Sequence, residues 1–330
     1  LPDASIPSTD LFCDQRPSMT AMTRLPPLPY ESWIPTRIAL HLRLQILGKI
    51  RMALRTGRNH WWHVPLYVSA RGMTTRAMPC SEDRLLEIEF DVLDDVVELR
   101  TSDGQRETVA VRDGQTIQAF YRDIVGAMKR LKISNPIATA RPFDAPSTHP
   151  FDEDTEHDAY DGDAVRRFWR AMTQIQPVFQ QFQGRWVGKD TPVHLFWHSL
   201  DLAYTRFSGR EAPALPEADP VTQEAYSHEV ISFGFWAGDD TTPEAGFYSY
   251  TYPEPDGLSE ERVRPNGATW RTGDSGTLAF LSYDAVRTAD DPEAALTAFL
   301  TSTYEAGARR ADWPDGLVRA GQTLGAGTRT

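Results

Sequence analysis

His60-Trp61-Trp62-His63-Val64-Pro65-Leu66-Tyr67-Val68-Ser69-Ala70-Arg71 is the stretch on which the fold turns. It is rich in β-branched and aromatic residues and follows a segment of helical periodicity, so it reads as a strand. A second run, from Val193 through Trp197-His198 to Arg206 and Phe207, has the same character and also follows a helical segment. In both runs an arginine stands eight residues after a Trp-His pair: Trp62-His63 with Arg71, and Trp197-His198 with Arg206. A Gly-Lys pair precedes each, Gly48-Lys49 and Gly188-Lys189. The copies are offset by 135 residues at Trp-His and Arg but by 140 at Gly-Lys, which places five extra residues near the turn-like Arg55-Thr56-Gly57-Arg58-Asn59. The recurrence predicts two similar halves, each a helix, antiparallel strands and a helix. That is an α+β fold with an approximate internal repeat, not a doubly wound sheet.

Outward from these runs, residues 31–54 carry Ile38, Leu42, Ile46 and Ile50 at helical spacing behind the stiff Leu25-Pro26-Pro27-Leu28-Pro29. Residues 85–91 alternate as a strand, 96–101 with 105–111 read as a hairpin around Ser102-Asp103-Gly104, and 116–131 as an amphipathic helix. Pro, Ser and Thr enrich residues 133–150, the natural linker. The second half reads as a helix at 163–187, strands at 193–207, 228–236, 246–252 and 277–283, and a helix at 292–310 with Pro292 in its first turn. The expected organisation is a disordered segment 1–24, a first half 25–132, a linker 133–162, a second half 163–313 packed on the first as one unit, and a disordered tail 314–330. Met19 and Met22 stand just ahead of the organised region, so one of them is expected to be the true start.

With 330 residues, 40% of them hydrophobic, the chain can bury a large core. No apolar run approaches the ~18 residues of a membrane span, and no charged-then-apolar leader opens the chain, so a cytoplasmic protein without membrane contact is expected. A net charge of -12 opposes a polyanionic partner, so no nucleic acid is expected. Two cysteines, Cys13 and Cys80, make neither a disulfide framework nor a thiolate metal site. Dinucleotide, Walker and Gly-x-Ser-x-Gly motifs are all absent, and nothing in the sequence identifies a cofactor.

Strand alternation would put Trp61, His63, Pro65, Tyr67, Ser69 and Arg71 on one face and the core residues Trp62, Val64, Leu66, Val68 and Ala70 on the other. The first face offers a proton shuttle, a hydroxyl and an anion clamp. The aligned face of the second run carries His194, Phe196, His198, Leu200, Leu202, Tyr204 and Arg206, less polar and with a bulge expected. In Ser227-His228-Glu229 the His and Glu point to opposite faces, and Glu229 suits a base or an orienting carboxylate. Tyr248, Tyr250 and Tyr252 form a stripe able to stack on a ligand or simply to pack beneath a helix. His60, His63, His194, His198 and His228 invite a metal reading. Yet His60 and His63 would face opposite ways, and His194 and His198 would lie about 13 Å apart on a strand rising ~3.3 Å per residue, so no metal ligand is assigned. Asp152-Glu153-Asp154-Thr155-Glu156-His157-Asp158 lacks the glycine of a calcium loop.

Asn59-His60-Trp61-Trp62-His63-Val64-Pro65-Leu66-Tyr67, the run 194–210 and Tyr226-Ser227-His228-Glu229 together resemble a bacterial family catalogued as a domain of unknown function. The resemblance covers nearly the whole chain, from Leu25 to the helix ending near Arg310. It implies one full-length domain and carries no established activity. In that family the position matching His198 is often small, which moves weight to His194. The functional expectation is a small anionic ligand at the junction of the halves, bound by His60, Tyr67, Arg71, His194, Arg206, Tyr248 and Tyr250. His63, His228 and Glu229 would carry any catalysis. The alternatives are a metal-dependent hydrolase or oxygen-using enzyme with His and Glu ligands, and a binding or scaffold protein with an aromatic face.

Overall fold

Helix α1 (Ile34–Leu54) starts behind a 3-10 turn at Tyr30–Trp33, with Pro35 in its first turn where a missing N–H costs nothing. The four-residue stripe of its sequence predicts one buried face, but every residue from Ala39 to Gly48 is buried. A helix buried all round lies between layers. The computed structural model describes residues 25–143, 146–273 and 276–319. The disorder expected at 1–24, the proposed start at Met19 or Met22 and most of the expected tail therefore lie outside the described residues.

Strands β1 (Tyr67–Val68), β2 (Gly72–Thr74), β3 (Met78–Pro79), β4 (Leu85–Asp91), β5 (Val96–Thr101) and β6 (Arg106–Ala110) form an antiparallel sheet in the order β1-β2-β4-β5-β6, with β3 beside β4. Helix α2 (Ile117–Arg130) follows, its N-terminus capped by the Thr116 side chain accepting from the Ala119 N–H. Helix α3 (Gly162–Gly184) opens the second half on an Asp161 cap. Strands β7 (His194–Phe196), β8 (Asp201–Glu211), β9 (His228–Trp236), β10 (Gly246–Tyr252), β11 (Thr269–Gly273) and β12 (Gly276–Ser282) make a second antiparallel sheet, ordered β11-β12-β10-β9-β8-β7. Helix α4 (Pro220–Ala225) lies between β8 and β9, and α5 (Tyr283–Arg287) and α6 (Pro292–Arg310) close the chain. Helices with two wholly antiparallel sheets make this an α+β protein.

The sheets meet where Leu66 and Leu195 exchange backbone hydrogen bonds of 2.9 and 2.8 Å. The Trp197 indole crosses the same seam, donating to the Val64 carbonyl at 3.0 Å and lying against Gly48 of α1. Both halves share the helix, sheet, helix order. Their motif residues do not occupy matching places, for Gly48-Lys49 lies inside α1 and Gly188-Lys189 in the loop after α3.

Three expectations need correction. Residues 60–71 are not one strand: 59–61 wind a 3-10 turn in which His60 (φ 56°) and Trp61 (φ 58°) are left-handed, and pairing begins only after Pro65, which has no N–H for a ladder. The run 193–207 is a hairpin, broken at 197–200 where Leu200 (φ 57°) returns its N–H to the Phe196 carbonyl at 2.8 Å. His194 and His198 thus share no strand. Residues 317–319, expected within the disordered tail, pair with 185–187 through Val187 N–H to Leu317 O (3.0 Å) and Arg319 N–H to Arg185 O (2.9 Å).

A Cβ at Gly48 would fall 2.2 Å from the Trp197 ring, whereas one at Gly57 meets nothing. In an open helix Gly→Ala gains about 1 kcal/mol. Gly48→Ala is instead expected to destabilise by about 1–3 kcal/mol in urea unfolding, with Gly57→Ala near neutral. A stabilised Gly48→Ala protein would refute this packing.

Candidate functional site

Alternation along β8 sends Tyr204 and Arg206 toward α3 and α6, and Asp201, Thr205 and Phe207 to the opposite face. The left-handed turn at 59–61 sits on that opposite face. There the His60 ring packs on Phe207 at 4.8 Å and meets the His228 ring edge-on at 5.2 Å. The turn is tied to α4: the His60 N–H donates to Glu224 Oε1 at 3.1 Å, and His60 Nδ1 lies 3.0 Å from the Glu224 carbonyl. A carbonyl only accepts, so Nδ1 carries the proton and Nε2 presents a lone pair. Lys189 Nζ lies 2.5 Å from that Nε2, in a slot between the rings of Phe207 (4.9 Å) and Trp62 (5.5 Å). Among the described residues no carboxylate pairs with Lys189. Burial lowers the proton affinity of both groups, and for His60 the neighbouring Lys189 charge adds to it. Two adjacent non-glycine residues in the left-handed region are strain held by these contacts.

Trp62 also walls an open cleft of about 360 Å³ that brings Arg58 and Arg76 of the first half against Gln183, Asp190 and Val193 of the second. Arg58 lies 6.0 Å over the Trp62 ring and Arg76 stacks 3.5 Å over Tyr67. Both arginines are exposed, and among the described residues neither guanidinium has a carboxylate or hydrogen-bond partner. Asp190 accepts from the Tyr204 hydroxyl (2.9 Å) and from Gln183 (3.2 Å) through one oxygen, and burial raises its pKa. Next to Arg76, Tyr67 packs against the fully buried His194 (6.4 Å) and the Arg51 guanidinium (5.4 Å). Among the described residues neither His194 nitrogen has a hydrogen-bond partner, and burial, with Arg51, His198 and Arg76 nearby, pushes its pKa down to about 3.

Of the residues expected to form the site, His60 and His228 touch, Tyr67 and His194 pack together beside the cleft, and His63 accepts from the Arg58 N–H at 3.2 Å while stacking on Trp61. The others are elsewhere. Arg71 is neutralised by Asp91 and Asp94 (2.6 Å) on the first sheet. Arg206 is sealed among Phe182, Trp186 and Tyr304, donating to the Phe182 carbonyl at 2.6 Å. Glu229, opposite His228 as alternation requires, pairs with Arg210 at 2.9 Å. Tyr248 donates to the buried Asp201, and the Tyr250 hydroxyl meets that of Tyr226 at 3.0 Å. Among the described residues no three His, Cys, Asp or Glu side chains converge as a metal site, and no helix is long and apolar enough to cross a membrane.

Arg58, Arg76 and Asp190 escape a reading of strand faces because segments between the strands present them, and Glu224 because it stands on helix α4. Lys189 had a signal: it belongs to the second Gly-Lys pair, in a chain with only four lysines, Lys49, Lys129, Lys132 and Lys189.

Burial also holds His41 neutral, with its pKa down to about 4. Unfolded histidines titrate near ~6.5, so below that pH the unfolded chain binds more protons and stability falls as pH drops toward the folded values. His194→Gln removes one such group. Its stability loss between pH 7 and 5 is expected to be about 2 kcal/mol smaller than the parent's in urea unfolding. An identical slope would mean that His194 titrates alike in the folded and the unfolded chain.

No curated protein and no solved structure matches this chain. The model of a family of unknown function, DUF5996, matches residues 25–320, and the chain belongs to that family.

Proposed function

We propose that this protein binds a small anionic molecule in the cleft at the junction of its halves, with Arg58 and Arg76 as the anion clamp and Trp62 as the apolar wall. One observation carries this reading: two exposed guanidinium groups, with no carboxylate partner among the described residues, line one cleft in a chain of net charge -12. The surrounding acidic surface makes such a pair conspicuous, since Arg71 and many other arginines are matched by carboxylates. A guanidinium fork fits carboxylate or phosphate in a bidentate way, and the Trp62 face suits a flat or apolar portion of the same molecule. Arg58 and Arg76 take the role first assigned to Arg71 and Arg206. The same charge balance opposes a nucleic-acid partner.

Isothermal titration with benzoate and with inorganic phosphate tests the proposal. Arg58→Ala and Arg76→Ala are each expected to weaken binding by roughly ten- to a hundredfold, about 1.5–3 kcal/mol per charged contact. Arg71→Ala should leave it unchanged. Parent-like affinity in both cleft variants, or loss in Arg71→Ala, overturns the proposal.

A further inference from the structure

The cleft that Arg58 and Arg76 line has a second pole. Asp190 lines it from the other half, yet among the described residues its carboxylate forms no ion pair with either guanidinium. Opposite charges that share a small cleft draw together unless each is held. Here each is held. Arg76 is stacked 3.5 Å over Tyr67, and Arg58 lies 6.0 Å over Trp62. Asp190 Oδ2 accepts from the buried Tyr204 hydroxyl at 2.9 Å and from Gln183 Nε2 at 3.2 Å. The same Gln183 nitrogen donates to the Thr191 carbonyl at 2.8 Å. Asp190 Oδ1 and Gln183 Oε1, two acceptors on residues that line the cleft, are left without a hydrogen-bond partner among the described residues. Burial raises the Asp190 pKa in spite of those hydrogen bonds and of Arg206, as it does for a carboxylate with no close counter-cation.

We propose that the cleft takes an amino acid, with its carboxylate clamped by Arg58 and Arg76, its ammonium received by Asp190 Oδ1 and Gln183 Oε1, and its apolar body against Trp62. This rests on the anion-binding reading above and specifies the ligand's class. The ligand's two charges complete what the cleft holds apart. A carboxylate fits the guanidinium fork, and an ammonium brings three donors to acceptor oxygens. The cleft, at about 360 Å³, stands at the small end of the ~300–1,000 Å³ that small-molecule sites span, so one ligand of amino-acid size reaches both poles. The acceptor pole is preorganised, because Tyr204 and Gln183 fix the Asp190 carboxylate before any ligand arrives. A carboxylic acid without an amine leaves that carboxylate facing the ligand uncompensated.

Isothermal titration of the full chain tests the assignment with phenylalanine, with phenylpropionate, which lacks the ammonium, and with phenylethylamine, which lacks the carboxylate. A second series, para-aminomethylbenzoate against para-toluate, sets the two charges at opposite ends of a ring. In at least one series the zwitterion is expected to bind about tenfold or more tighter than the acid without the amine. Asp190→Asn, which keeps an acceptor for the Tyr204 hydroxyl, should bring that zwitterion down to the affinity of its acid while leaving the acid no weaker. Equal weakening of zwitterion and acid would mark Asp190 as merely structural and overturn the assignment. Should Asp190→Asn fail to fold, the parent protein decides alone, since acids that bind as tightly as their zwitterions in both series overturn it. If the acids bind in an Arg58-dependent way and the ammonium adds nothing, the amino-acid assignment fails and the anion reading stands. If phenylethylamine matches phenylalanine, and Arg58→Ala and Arg76→Ala weaken neither, the anion reading fails and takes the assignment with it.

Discussion

The burial of α1 on all sides is the constraint on which the rest of this structure depends. Its interior residues include Arg37, His41, Arg43, Gln45 and Arg51, and each buried polar group must find a partner or cost about 1–3 kcal/mol. Arg37 finds the Tyr30 hydroxyl, and Arg43, Gln45 and Arg51 find backbone groups of loops. Arg43 donates to Ala159 and Gln115, at 3.1 and 2.8 Å, and so draws the approach to α3 and the start of α2 onto the same helix. Gln45 pairs with the Phe143 backbone, its Oε1 accepting from the N–H at 2.7 Å, which holds the connection between the halves across α1. Arg51 donates to the Thr75 carbonyl and thereby fixes the residue next to Arg76. The central helix thus sets where the cleft's arginine stands.

A second consequence is the unequal fate of the arginines. Those satisfied by carbonyls inside the protein, such as Arg43 and Arg206, organise loops and aromatic cages. Those matched by carboxylates, such as Arg71 and Arg166, join surfaces at modest gain. Arg58 and Arg76 belong to neither group. Arg58 stands extended just ahead of the 59–61 turn, Arg76 is left-handed at φ 51°, and both line the cleft. The left-handed backbone at Arg76 is a feature that the proposed anion site would use.

Strong periodicity made much of the fold legible. The strands at His228–Trp236 and Gly246–Tyr252 and the helix at Pro292–Arg310 stand where alternation, turn residues and a first-turn proline place them. The motif runs themselves were misread, for one physical reason. Aromatic and β-branched residues signal burial as much as strand, and at His60, Trp61 and Leu200 the burial is achieved by left-handed turns that tertiary contacts impose. Once the turn replaces the strand, face-by-face assignment no longer holds, and so Arg71 and Arg206 separate while His60 reaches Lys189 and His228. Gly48 lies against Trp197 and Lys189 over the Trp62 ring, so the doubled residues interlock across the seam.

The central claim, that the junction cleft clamps an anion through Arg58 and Arg76, is tested most directly by arginine side-chain NMR. The Nε–Hε resonances of Arg58, Arg76, Arg71 and Arg206 are followed while benzoate is added. The account predicts saturable shifts at Arg58 and Arg76 with one common affinity, and still resonances at Arg71 and Arg206. Shifts at Arg71 or Arg206, or saturable binding that leaves Arg58 and Arg76 unmoved, would contradict it.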